Sequence, residues 1–310
     1  PDRIEKVEKA YVEIIYALYR YEVVRLLVLD DAMQDRAEML LTGAGVDLSQ
    51  VVFYQADYAD VWTRDYGPVF VKNSDGEVAW VKWTYDAYGR KFEELLKDNE
   101  VFKILKDNVG YKSFEADFVL EGGAVEVNGM GTLLTTEQCL LQNRNEGKTK
   151  EENEEILKQM YGVKNIIWLK DGIFNDHTDG HIDEVARFVS PTKILCAYEE
   201  DEADENYEIL KTNFEILENA VDQDGNKFEV IKLPMPHMTY DDGTKAPVSY
   251  ANFYIGNEVV LASIFNDPND AKALEILQSC FPNRKVVGID CRDLIYGGGA
   301  IHCITQQEPS

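Results

Sequence analysis

The chain lacks any apolar run long enough to form a transmembrane helix, which sets aside a membrane-spanning protein built from helices. It has no C-x-x-C pair. Its five cysteines, Cys139, Cys196, Cys280, Cys291 and Cys303, are odd in number and scattered, so neither a disulfide framework nor a zinc module is expected. Free thiols of this kind point to a cytoplasmic compartment. Positive charge is also scarce: 31 Lys and Arg stand against 57 Asp and Glu, a formal charge of −26. Such a field repels nucleic acid and anionic membranes and draws cations. No Pro/Gly/Ser-rich linker divides the 310 residues, and residues 1–310 read as a single domain.

What is present is a repeated pattern. Four times a polar or glycine-rich lead-in precedes a strand, a turn and a second strand. The first is Arg64-Asp65-Tyr66-Gly67 before PVFV and EVAWVKW. The second is Glu121-Gly122-Gly123 before AVEV and TLLTT. The third is GHID before EVARFV and ILCAY, and the fourth is SYANFYI before EVVLASI. Residues 91–105, 150–161, 204–220 and 270–280 carry apolar side chains at helical spacing, and the strands FEADFVL, NIIWL, FEVIKL and KVVGI follow them. A further helix at 4–19, the strand VVRLLVL and a helix near 32–42 open the chain. Repetition at this spacing predicts a ring of α/β units. A fifth lead-in, Gly297-Gly298-Gly299, runs into AIHCITQ, half a hairpin whose closing partner strand is expected upstream of Pro1.

Equivalent positions in such a ring face a common axis. The residues at the lead-ins are Asp65, Glu121, His181 with Asp183, and Cys303. Each alone reads as a turn residue or a core thiol; their coincidence at matching positions is the signal. Paired carboxylates match a planar, permanently charged guanidinium. A thiolate supplies the nucleophile and an imidazole moves the proton. The rival is a metal on NDHTDGHIDE, where His177 and His181 are four apart, but the following EVARFV has strand character and the H-E-x-x-H pattern is absent. No metal and no cofactor are expected. Gly297–Gly299 lacks the Lys-Ser/Thr of a phosphate loop and reads as compact backbone beside a ligand.

VWTRDYGPVF, VLEGGAVEV, the stretch from Asp176 through GHIDEVARFV, SYANFY and GGGAIHCITQQEP together resemble the agmatine deiminases, of the Porphyromonas-type peptidylarginine deiminase family within the guanidine-modifying superfamily. The resemblance implies a five-bladed α/β propeller, the pentein fold. It implies hydrolysis of agmatine to N-carbamoylputrescine and ammonia, a step in putrescine and polyamine synthesis. By it, Cys303 forms a covalent amidino intermediate, and His181 is the general acid and base. Asp65 and Asp183 hold the guanidinium, Glu121 orients the histidine, Trp62 lines the substrate channel and Asp176 contacts substrate. Peptidylarginine hydrolysis and amidino transfer are the neighbouring activities. A small cationic guanidine is the expected partner, and a homo-oligomer is left open. The chain departs from the family in lacking its Trp-rich N-terminal segment, and in carrying Asp86-Ala87-Tyr88-Gly89 where the family has Asn-Ala-Trp-Gly.

Overall fold

The structure, a computed structural model, describes residues 3–309. Helix α1 (Ile4–Leu18) leads to strand β1 (Val24–Val28), helix α2 (Asp31–Gly43) and strand β2 (Val51–Gln55). The second unit has β3 (Val69–Lys72), β4 (Val78–Thr84), α3 (Val101–Val109) and β5 (Lys112–Val119). The third has β6 (Glu126–Val127), β7 (Thr132–Thr136), α4 (Lys150–Tyr161) and β8 (Asn165–Leu169). The fourth has β9 (Ala186–Ser190), β10 (Lys193–Tyr198), α5 (Tyr207–Asn219) and β11 (Glu229–Pro234), and the fifth β12 (Tyr254–Ile255), β13 (Val259–Ile264), α6 (Asp270–Cys280) and β14 (Lys285–Asp290).

Each of these last four units is a three-stranded sheet built the same way. The second hairpin strand lies in the middle, antiparallel to the first and parallel to the strand returning from the helix. That position explains the near-continuous apolar runs of ILCAY and VVLASI. A central strand covered on both faces has no polar side to show, and Val259 to Ser263 are all buried. The helices close over these strands with one apolar stripe, as when Leu210, Phe214 and Leu217 of α5 meet Ile194 and Cys196 of β10. Helix α4 starts where the sequence says it should, at a Thr149–Glu152 capping box that satisfies two otherwise orphaned N–H groups.

Three expectations fail locally. Residues 91–105 are not one helix: a 3-10 stretch, Glu93–Glu100, precedes α3. Tertiary bonds override the helical pattern there, since Asp98 accepts from the Ala59 N–H and Asn99 donates to the Tyr85 carbonyl. SYANFYI is a strand only at Tyr254–Ile255, because the carbonyls of Ala251 and Phe253 accept from Arg187 Nη1. AIHCITQ is a turn, closed by Thr305 onto His302 and Ile301. It has no ladder partner among the described residues, and without one an extended segment loses its reason to stay extended. The first unit is correspondingly two-stranded, β1 beside β2. The other edge of β1 borders a cavity of about 840 Å³, lined by Tyr11, Leu26, Phe70, Ile304 and Gln306 among others.

Candidate active site

Every lead-in folds as a short helical or turn segment that points a side chain inward, in the first three just before a strand begins. Asp65 lies in the helical turn Thr63–Tyr66 ahead of β3. Glu121 caps the turn Gly122–Ala124 ahead of β6, and His181 caps Ile182–Glu184 ahead of β9. Cys303 lies in the turn that follows the glycine run, with the Arg64 N–H donating to its carbonyl. All four are buried, together with Asp183. The ring thus brings into one cluster residues that the sequence separates by up to 238 positions.

Within the cluster, His181 Nδ1 lies 3.7 Å from Asp65 Oδ1 and His181 Nε2 lies 3.7 Å from Glu121 Oε2. Cys303 Sγ lies 4.0 Å from Asp183 Oδ2. Neither His181 nitrogen, nor Glu121 Oε2, nor Asp183 Oδ1 has a hydrogen-bond partner among the described residues. A buried polar atom left unpaired is costly, so this concentration at one place identifies groups kept available for a ligand. Gly123 shows how tightly they converge. A Cβ there would stand 2.6 Å from His181 Nδ1, 2.9 Å from Asp65 Oδ1 and 3.0 Å from Asp183 Oδ2. Any side chain would displace the site.

The electrostatics divide the groups by task. Burial and the charges of Asp183, Glu184 and Asp65 push the Cys303 thiol well up, so it keeps its proton while no cation is present. Burial disfavours the charged form of His181, but Asp65, Cys139 and Glu121 outweigh it and hold the imidazole well above its ordinary value. Burial alone would raise Glu121. Arg144, donating at 2.8 Å, and His181 bring it below the usual range instead. Asp65 and Asp183 are both pushed up, chiefly by burial. Two carboxyls that burial pushes up and a reluctant thiol form a site that a buried cation would relieve.

Sequence reasoning missed four members. Asn252 supplies the fifth unit's inward group, with Nδ2 3.2 Å from Cys303 Sγ and 2.7 Å from Glu184 Oε1. The repeat register pointed to SYANFY, but no titratable group marked it. His302 is held neutral, chiefly by burial and by Arg187, and its Nδ1–H donates to Asp183 Oδ2 at 2.6 Å. Arg144 links Glu121 to Asp179 and nothing in its local sequence announces it. Glu184 is pushed well up by burial and by Asp183.

Asp176 and Trp62, the other expected substrate contacts, both lie against residues of the cluster. Asp176 accepts from the backbone of Thr178, Gly180 and His181 and from the Thr178 hydroxyl, so its carboxylate holds the loop that carries His181. Trp62 is buried beneath the glycine run: a Cβ on Gly299 would lie 2.8 Å from its ring and 3.1 Å from Cys303 Sγ. Trp62 therefore backs the nucleophile. Potential metal donors come within 4.8 Å of one another in Glu121–Cys139–His181, Asp183–Glu184–Cys303 and, elsewhere, Glu199–Asp204–His237. Arg144 already neutralises Glu121, and Lys245 sits on Asp204. His177 and His181 share no helical face, because 175–181 is a series of turns and His177 is exposed.

Known proteins resemble this chain along almost its whole length. A protein of Legionella pneumophila is 37% identical over 308 residues, covering 99% of this chain and 87% of its own length. The agmatine deiminase of Enterococcus faecalis superposes with a TM-score of 0.90 at 34% identity, over 98% of this chain and 88% of that one. A cysteine-to-serine variant of C. jejuni agmatine deiminase with substrate bound superposes with a TM-score of 0.86 at 31% identity, over 96% and 86%. The family profile described as Porphyromonas-type peptidyl-arginine deiminase matches residues 1–309. At this identity and coverage, and with the family profile spanning residues 1–309, the chain belongs to the Porphyromonas-type peptidyl-arginine deiminase family.

Proposed function

We propose that this chain hydrolyses agmatine to N-carbamoylputrescine and ammonia through a covalent intermediate on Cys303. The observation that carries the reading is the convergence of Cys303, His181, Asp65, Asp183 and Glu121 in one buried cluster, in which burial pushes the Asp65 and Asp183 carboxyls up. A guanidinium bound by Asp65 and Asp183 offsets the charges that raise the Cys303 thiol, and the thiol then releases its proton to solvent. The thiolate adds to the guanidinium carbon. His181, held protonated by Asp65 and Glu121, gives its proton to the departing nitrogen, which leaves as ammonia. An amidino group remains on sulfur. Water, deprotonated by His181, adds to that carbon; as the C–S bond breaks, the remaining hydroxyl proton passes to sulfur, so the ureido product leaves and the thiol is restored.

Discrimination against arginine must act at the other end of the substrate. Arginine carries a carboxylate, which is costly to bury without a cationic partner. Arg144 and Arg187 are committed to Glu121 with Asp179 and to Glu126, and Arg64 donates to the His302 carbonyl and Gln307. The acidic field also favours a dication over a zwitterion at encounter. Ammonia release should be compared across agmatine, free arginine and an acetylated, amidated arginine, with mass mapping of a trapped adduct. Agmatine should give the highest kcat/KM, with the adduct on Cys303. An arginine compound that matches agmatine would reassign the substrate, and an adduct on another cysteine would end the mechanism.

A further inference from the structure

Residues 87–90 form one of the most strained segments of the backbone. Ala87, Tyr88, Gly89 and Arg90 have φ of 60°, 60°, 73° and 62°, four successive residues in the left-handed region, three of them with side chains. Such a run persists only where its surroundings over-determine it. Here they do. Asp86 accepts from the Gly89 N–H through its side chain at 2.8 Å and from the Arg90 N–H through its carbonyl at 2.9 Å. Gly89 stands against Arg144, with room for no more than a hydrogen: a Cβ would lie 3.0 Å from Nη1. Lys91 then ties the segment to the histidine loop through Asp179 and the His177 carbonyl.

The strain delivers one side chain. Tyr88 is buried, its ring edge-on to Tyr85 at 5.5 Å and to Phe92 at 6.2 Å, and 6.0 Å from the His181 imidazole. Its hydroxyl donates to Asp65 Oδ2 at 2.8 Å, while the Gly123 N–H donates to Oδ1 at 3.0 Å. Each oxygen of Asp65 is therefore fixed from the protein side, which sets the plane of the carboxylate and the lone pairs left for a ligand. We propose that Tyr88 is a positioning residue for the deiminase reaction, held by the left-handed 87–90 turn so that its hydroxyl orients Asp65 toward the guanidinium. The proposal rests on the reading of Asp65 as a guanidinium-holding group.

The titratable groups around Asp65 are His181, Glu121, Asp183, Cys303, Tyr85 and Tyr88. Of these, the Tyr88 bond and His181 favour its charged form, and burial and Glu121 oppose it. Burial keeps the phenol protonated, so it acts as a donor throughout the working range. Removing the hydroxyl takes away a bond to the ionised carboxylate, and Asp65 then holds its proton to higher pH.

Tyr88→Phe, Asp65→Ala and the double variant test this through agmatine turnover between pH 5 and 9 and through thermal unfolding. Tyr88→Phe should lower kcat/KM by about ten- to a hundred-fold, the scale of a hydrogen bond to a charged group, and move the acid limb to higher pH. In the Asp65→Ala background the same change should cost no more than about two-fold, since residues acting as a unit are not additive. Multiplicative losses, or an unmoved acid limb, would overturn the proposal. Should the parent chain fail to turn over agmatine, the functional reading fails by itself. The unfolding cycle still decides this one: coupling between Tyr88 and Asp65 supports it, and strict additivity overturns it.

Discussion

At the scale of single residues, the site depends on what is absent from Gly123 as much as on what its neighbours carry. A methyl there would press on His181, Asp65 and Asp183 together. Gly123→Ala should therefore lower kcat/KM about a hundred-fold or more, since displacements of about an ångström carry that cost. Steady-state kinetics would show it, and thermal unfolding should show that the variant still folds. A variant with parental kcat/KM would mean that the cluster yields more easily than its geometry says. The acids, the imidazole and the thiol were legible in the sequence because each is chemically conspicuous and each stands at a repeat of the same lead-in position. Asn252, Arg144 and the Tyr88 hydroxyl were not, because their work is set by partners distant in sequence: 51 positions to Cys303, 23 to Glu121 and 23 to Asp65.

At the scale of elements, the sequence was readable wherever local chemistry and tertiary position agree. Helix α4 spans Lys150–Tyr161 as its pattern predicts, between a capping box and the left-handed Gly162. α6 and β8 also match their patterns. Thr149→Ala removes the cap and should lower stability by about 1 kcal/mol. Thermal unfolding should detect that loss, with agmatine kinetics unchanged, because Thr149 is exposed and remote from the lead-ins. A kinetic effect would mean that α4 shapes the site. Where the pattern misled, a long-range bond had taken over the backbone. Asp98 draws on Ala59, and Arg187 occupies carbonyls that a strand at 249–253 would need. No window of sequence contains those partners.

At the scale of the whole molecule, the ring was legible because its units repeat, and the −26 charge agrees with a cationic ligand without specifying it. Among the described residues no helix is long and apolar enough to cross a membrane. The units are not equally secure, however. Four have three strands, and the first has two, with β1 paired on one side only among the described residues and Val23, Leu29 and Met33 exposed around it. Local stability follows the number of cooperative bonds that must open together. Amide hydrogen exchange should therefore run in order around the ring. β1 and β2 should exchange first, and β13, paired on both sides and buried almost throughout, should exchange last. Uniform protection across the five sheets would show that the ring opens as one body. An ordered exchange would give the molecule a seam, and place it in the unit that starts the chain.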